Sequence, residues 1–131
     1  MKILLFFPFL SALVLVSAVP ARHPPARPPR LLLEEMVITL NRIEKRPTDV
    51  GHTLIADVID VHNCKREDFC RVEKVLSNMV KEFKEKGIIV RQLKEYNKDF
   101  KVNCPVVENK EIELKKLLHH LRICAQKKYA Q

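Results

Sequence analysis

Tryptophan is absent, and aromatic residues make up only 6% of this 131-residue chain. Few stacking platforms and no RNA- or DNA-binding motif argue against nucleic acid as a partner. No cysteine or histidine pair falls at the Cys-x2–4-Cys or His-x3–5-His spacings of a zinc site. His62 and Cys64 are merely near neighbours, so neither a metal nor another cofactor is expected. No Asn-x-Ser/Thr acceptor occurs, which excludes N-glycosylation. After residue 19 no apolar run approaches the ~20 residues that a membrane span needs. Glycine is limited to Gly51 and Gly87. Both read as punctuation, Gly51 after a first helix and Gly87 as the stop of a second.

What is present begins with a targeting segment. Lys2 precedes an apolar run, Ile3 to Val19, broken only by small residues and Pro8, and Ser17-Ala18 offers a small-residue cleavage site. Residues 1–18 are therefore read as a signal peptide cut after Ala18, and the protein as secreted into the extracellular space. A membrane anchor is the alternative, but the run is short for a span. Removing residues 1–18 leaves 113 residues and lowers the net charge from +8 to +7. Residues 19–30 hold Pro20, Pro24, Pro25, Pro28 and Pro29 among Arg22, Arg27 and Arg30. Such a stretch builds no core and reads as a disordered basic leader, with a tether to sulfated sugars as the sharper alternative. Residues 31–131 form one domain. Four cysteines in a secreted chain read as two disulfides.

The domain carries helical periodicity. Leu33, Met36, Val37, Leu40 and Ile43 make one stripe from about Leu31 to Lys45, with Glu34, Glu35, Thr39 and Arg42 facing elsewhere. Phe69, Val72, Leu76, Met79, Val80 and Phe83 stripe a second helix from Lys65 to Glu85. Ile89, Leu93, Tyr96 and Phe100 mark a third, Ile89 to Phe100. Leu114, Leu117, Leu118, Leu121 and Cys124 mark a fourth, running from an Asn109 cap to Tyr129. Glu111 and Glu113 suit its positive start, and Lys127 and Lys128 its negative end. Between the first two helices, Leu54 to Val61 is rich in β-branched residues and part of it reads as strand, with a short helix as the alternative.

Four amphipathic helices on one short chain make an all-α four-helix bundle. The short join between the second and third helices makes them antiparallel. The first join, about twenty residues, is long enough to cross the bundle and leave the first pair parallel. The third join has about nine residues, and full extension reaches only ~30 Å. Such a link must be extended, and beside Leu54–Val61 it can pair as a small two-stranded ribbon. The topology is up-up-down-down, with the ribbon formed by the crossover loops.

Three short pieces then recur in order: Asp68-Phe69-Cys70-Arg71, Asn103-Cys104-Pro105-Val106 and Ala125-Gln126-Lys127-Lys128-Tyr129. Glu35-Met36-Val37-Ile38-Thr39-Leu40-Asn41, Val75-Leu76, Arg91, Leu93-Lys94 and Lys98 fill in between them. Together they resemble the interleukin-4/interleukin-13 cytokines, the interleukin-4 branch above all, over nearly all of Leu31 to Gln131. The resemblance implies a short-chain cytokine bundle and a Cys70–Cys104 disulfide. The remaining pair would be Cys64–Cys124, which the family pattern does not supply. Cys64–Cys70 with Cys104–Cys124 stays open, because sequence alone does not fix connectivity. The cysteines are fewer, and the third helix shorter, than in the mammalian pattern, which suggests a divergent lineage outside the mammals.

The resemblance also implies a function. A type 2 cytokine would bring together two class I cytokine receptor chains and trigger JAK-STAT signalling, with B-cell and macrophage activation. The family meets an interleukin-4 receptor alpha-like chain through an acid on the first helix and a base on the third, here Glu35 and Lys98. Lys98 stands where arginine is usual and lacks its bidentate fork; the plain alternative is a solvated charge. A second chain, the common gamma chain or an interleukin-13 receptor-like chain, would meet Leu31, Gln126, Tyr129 and Ala130. Gln126 replaces a base there, and the plain alternative for Tyr129 is a frayed terminus. The family implies a monomer.

Two other classes are weighed. An enzyme would need acid–base groups converging on a substrate. His119 and His120 are adjacent, so on a helix they diverge by ~100° and cannot converge alone, and no catalytic residue is assigned. A basic host-defence or heparin-binding protein is the alternative function. Membrane lysis conflicts with stripes that the core needs, but glycosaminoglycan binding could coexist with cytokine activity.

Overall fold

A computed structural model describes residues 27–46, 49–107 and 110–131. Residues 1–18, expected to be a signal peptide, and residues 19–26 of the expected leader lie outside the described residues. Four helices appear: α1 Pro29–Lys45, α2 Arg66–Asn78, α3 Lys86–Tyr96 and α4 Leu114–Ala130. Two short strands, β1 Leu54–Ala56 and β2 Glu111–Glu113, complete the order α1-β1-α2-α3-β2-α4. The bundle has the expected four helices and two-stranded ribbon, with α1 against α3 and α4, and α2 against α3.

The stripes become the core. Met36, Leu40, Phe69, Val72, Leu76, Ile89, Leu93, Leu114, Leu117, Leu118 and Leu121 are each at most 2% exposed. Each helix supplies residues at spacings of three and four, so removing this surface from water is what drives assembly. The ribbon is antiparallel, with Leu54 opposite Glu113, Ile55 opposite Ile112 and Ala56 opposite Glu111.

The elements depart from the sequence expectation at their ends. α1 begins at Pro29 rather than Leu31. Proline at the first helical position costs nothing, since its missing N–H would have no partner there. The last leader residues are thus part of the bundle. α2 stops at Asn78 rather than Glu85, with Met79 extended and Val80 92% exposed. The chain turns at Met79 so that Phe83 folds back into the core. The Nζ of Lys86 donates to the Met79 carbonyl at 2.8 Å, satisfying an acceptor that a longer helix would have used. Gly87 therefore does not stop α2; it lies in the first turn of α3.

α3 ends at Tyr96, not Phe100, and is capped at Asn97. The cause is Arg66. Its guanidinium lies 4.0 Å from the Tyr96 ring centroid and 4.8 Å from that of Phe100. It donates to the Tyr96 carbonyl and to Asn97 Oδ1, both at 2.6 Å. Asn97 Nδ2 in turn donates to the Phe69 carbonyl at 3.1 Å and Glu73 at 2.9 Å. This network fixes the turn that Phe100 needs to reach Arg66.

α4 begins at Leu114, because Glu111 to Glu113 form β2 instead of a first helical turn. Asn109 lies outside the described residues, and the cap position is Glu113. Ribbon pairing wins here, and the loop before β1 supplies the missing acceptors. Leu114 N–H donates to the Thr53 carbonyl at 2.8 Å and Lys115 N–H to that of Gly51 at 2.9 Å. The first-turn donors that a side-chain cap would serve are met by backbone.

Disulfides join Cys64 to Cys124 and Cys70 to Cys104. The first ties the entry of α2 to α4, closing 60 residues; the second ties α2 to the third-to-fourth link, closing 34. In the chain-entropy treatment each contributes about 4 kcal/mol. Cys64 has φ +47°, a left-handed conformation that side chains rarely adopt. Its N–H donates to the Asp60 carbonyl at 2.7 Å, and the disulfide fixes its other end.

Candidate functional site

The face shared by α1 and α3 gathers the charged and polar groups that the sequence singled out. Glu35 leaves α1 half-exposed, beside Gln92 and Glu95 of α3. Thr39, expected to face away from the core, is instead 3% exposed, because α3 covers it. Its hydroxyl donates to the Glu35 carbonyl at 3.1 Å and accepts from Gln92 Nε2 at 3.0 Å. This part-buried pair holds the Glu35 turn of α1 against the middle of α3.

Arg27 crosses the face. Nη1 donates to both carboxylate oxygens of Glu35 at 2.7 Å, and Nη2 donates to Glu95 at 2.9 Å. The hydrogen bond to Glu95, then the charge of Glu35, raise the Arg27 pKa above its ordinary value. Lys98 is exposed, but not on the helix. It sits just past the Asn97 cap, its N–H donating to the Glu95 carbonyl at 3.3 Å. Arg91, Glu95 and Lys98 follow spacings of four and three.

A second group forms where α1 begins and α4 finishes. Arg30 stacks over the Tyr129 ring at 4.5 Å, and Tyr129 packs against the core rather than fraying. Leu31 is 38% exposed, while Gln126 and Ala130 are open to solvent. Gln126 accepts from Arg122 Nη1 at 3.1 Å, and Arg122 also donates to Glu44 at 2.7 Å. Arg30 of α1 thus meets Tyr129 of α4, Leu31 is its neighbour on α1, and Gln126 sits one turn before Tyr129 on α4.

The histidine pair diverges. His119 Nδ1 lies 3.1 Å from Glu44 at the surface. His120 Nδ1 is buried without a hydrogen-bond partner, and burial lowers the pKa of His120. Burial pushes Glu44 up, but hydrogen bonds from Arg122 and His119 outweigh it and leave the carboxyl below its ordinary value. Among the described residues no cluster of His, Cys, Asp or Glu is placed to hold a metal ion. No described helix is long and apolar enough to cross a membrane.

A family model described as Interleukin 4 matches residues 30–130. The chain belongs to the interleukin-4 family. No curated protein and no solved structure matches it. The match supports a cytokine as the functional class of the chain. The matched span covers all four helices but for Pro29, the first residue of α1, together with both disulfides and the ribbon.

Sequence reasoning missed Arg27, Glu95, Gln92 and the burial of Thr39. The three-and-four spacing of Arg91, Glu95 and Lys98 was visible in the sequence, although only Arg91 and Glu95 lie on α3. Arg27 gave no signal, because a residue ahead of a helix can fold either way.

Proposed function

We propose that this protein is a secreted type 2 cytokine that pairs two class I receptor chains and triggers JAK-STAT signalling in immune cells, B cells and macrophages among them. An interleukin-4 receptor alpha-like chain docks on α1 and α3, with Glu35 as the central acid and Lys98 as a flanking base. A second chain, the common gamma chain or an interleukin-13 receptor-like chain, docks around Leu31, Gln126, Tyr129 and Ala130. The protein acts as a monomer after residues 1–18 are removed.

The observation that carries this reading is the position of Glu35. It is an ionisable, half-exposed group on the α1/α3 face, braced from beneath by the part-buried Thr39–Gln92 pair. A carboxylate so placed can be desolvated by a partner without moving the backbone, which is how a charged residue becomes a binding hot spot. Lys98 offers a point charge rather than a fork and contributes less. The Arg30–Tyr129 stack supports the second surface, since an aromatic side chain held by a cation loses little freedom on binding.

Glu35→Lys tests the assignment. It replaces an exposed acid with a base, so the fold stays intact while alpha-chain affinity falls by about 100-fold or more. Full binding by that variant would move the site elsewhere.

A further inference from the structure

Residues 79–85 join α2 to α3, and the middle of this join stands clear of the bundle. Met79 is extended, at φ −69° and ψ 130°, Val80 is 92% exposed, and Lys81 and Glu82 are exposed beside it. Two anchors hold the ends. Lys86 Nζ donates to the Met79 carbonyl at 2.8 Å, and the Phe83 side chain is buried in the core. Between the anchors, no backbone hydrogen bond among the described residues reaches Val80, Lys81 or Glu82. The two disulfides both straddle this arch. Cys64 and Cys70 precede it, and their partners Cys124 and Cys104 follow it. The packing straddles it as well: α1 against α3 and α4, α2 against α3, and β1 against β2 all run from the residues before the arch to those after it.

We propose that the Lys81–Glu82 bond is a cleavage site for a serine endoprotease that selects basic residues, and that the product is a two-chain protein held together by both disulfides. Such an enzyme takes its substrate as an added extended strand, pairing with the backbone and seating one side chain in a specificity pocket. Unpaired, exposed backbone beside a lysine meets both needs, and exposed loop tips are where nicking concentrates. The arch lifts by a local opening between its anchors, at less cost than unfolding the bundle. Other lysines fit less well. Lys84 lies between buried Phe83 and buried Glu85. Lys101 is exposed, but the nearby Cys104 is pinned by its disulfide and its carbonyl accepts from Lys74 at 3.0 Å. In the reaction water adds across the peptide bond: the C–N bond breaks, Lys81 keeps a carboxylate and Glu82 gains an ammonium. The cut places Glu35 in one chain and Lys98 in the other, so the disulfides alone keep the proposed receptor face covalently joined. That consequence rests on the receptor reading; the cut itself does not.

Trypsin is the probe. It is applied well below Tm to disulfide-bonded residues 19–131 as wild type, Lys81→Gln and Lys84→Gln, each checked for helix content. Cuts are located by peptide mass after reduction, and those within residues 19–30 are set aside. In the bundle the first cut should fall after Lys81, several-fold faster than after any other lysine or arginine. Unreduced, the cut protein should remain one species with unchanged helix content. Reduced, it should give two fragments, one ending at Lys81 and the other beginning at Glu82. Lys81→Gln should slow the first cut several-fold, and Lys84→Gln should be cut like wild type. A first cut elsewhere in the bundle, equal rates for Lys81→Gln and wild type, or halves that separate without reduction would overturn the proposal. None of these outcomes depends on a receptor, so loss of the receptor reading leaves the cleavage site to stand or fall by itself.

Discussion

Two arginines each join a pair of helices in this bundle, and they do opposite work. Arg66 ties α2 to the end of α3 from a partly buried position. It stacks on two rings, and Asn97 carries its hydrogen bond on to Phe69 and Glu73. Burial lowers the Arg66 pKa, the cost of holding a cation away from water. Arg27 ties α1 to α3 from the surface, with two carboxylates and no ring. A cation enclosed by aromatic faces and fixed carbonyls cannot leave without stranding its partners. A cation held by solvated carboxylates can be exchanged for another. Position rather than residue type separates a structural bridge from a displaceable one.

Breaking the structural bridge should have the largest effect. Arg66→Ala leaves Asn97 and the Tyr96 carbonyl short of a donor and removes two cation–ring contacts. The expected loss is on the order of 2–3 kcal/mol, a fall of roughly 10 °C in Tm. Arg66→Lys should recover little, because lysine lacks the planar fork. Calorimetry on the two variants checks both statements. Tyr129→Ala comes next. It removes the Arg30 stack and partial core packing, for about 1 kcal/mol and a few degrees of Tm, and also weakens binding of the second receptor chain.

The pH dependence of stability is a smaller effect. Burial depresses the His120 pKa below its ordinary 6.5. The folded state therefore binds fewer protons than the unfolded chain between the two values. Stability should be full above 6.5 and decline as pH falls from there to the lower folded value. Glu44 also has a depressed pKa, against an ordinary 4.5. Its contribution is present above 4.5 and is lost as pH falls through the folded value. Urea titrations from pH 8 to pH 3 should show both declines, and His120→Gln should remove the upper one. Arg27→Ala should have the smallest effect on stability, about 1 °C or less in Tm. A larger fall would place Arg27 with Arg66 and erase the contrast.

The bundle was legible in the sequence because a helical stripe and a buried helix face are the same fact seen twice. Met36 and Leu40, Phe69 and Leu76, Leu117 and Leu121 all went where their spacing sent them. The ribbon was legible for a different reason, the short reach of the third join. Helix ends were not legible where tertiary contacts decide them. Val80 fits the α2 stripe yet lies in solvent, because the helix closes at Asn78, about two turns before Glu85, where Lys86 takes up the Met79 carbonyl. Glu113 reads as a helix-start acid, but pairing with Leu54 makes it strand. Thr39 reads as surface until α3 is laid over it. The site was legible only as single residues. What connects Glu35 to α3 is Gln92 from beneath and Arg27 from above, and neither contact is visible along the chain.

The measurement that bears most directly on the account is binding of residues 19–131 to an interleukin-4 receptor alpha ectodomain from the same species, with Glu35→Lys beside wild type. The account predicts tight binding by wild type and a loss of about 100-fold or more in the variant, at an unchanged Tm. Equal binding by the two, or none by a folded and fully disulfide-bonded wild type, would contradict it.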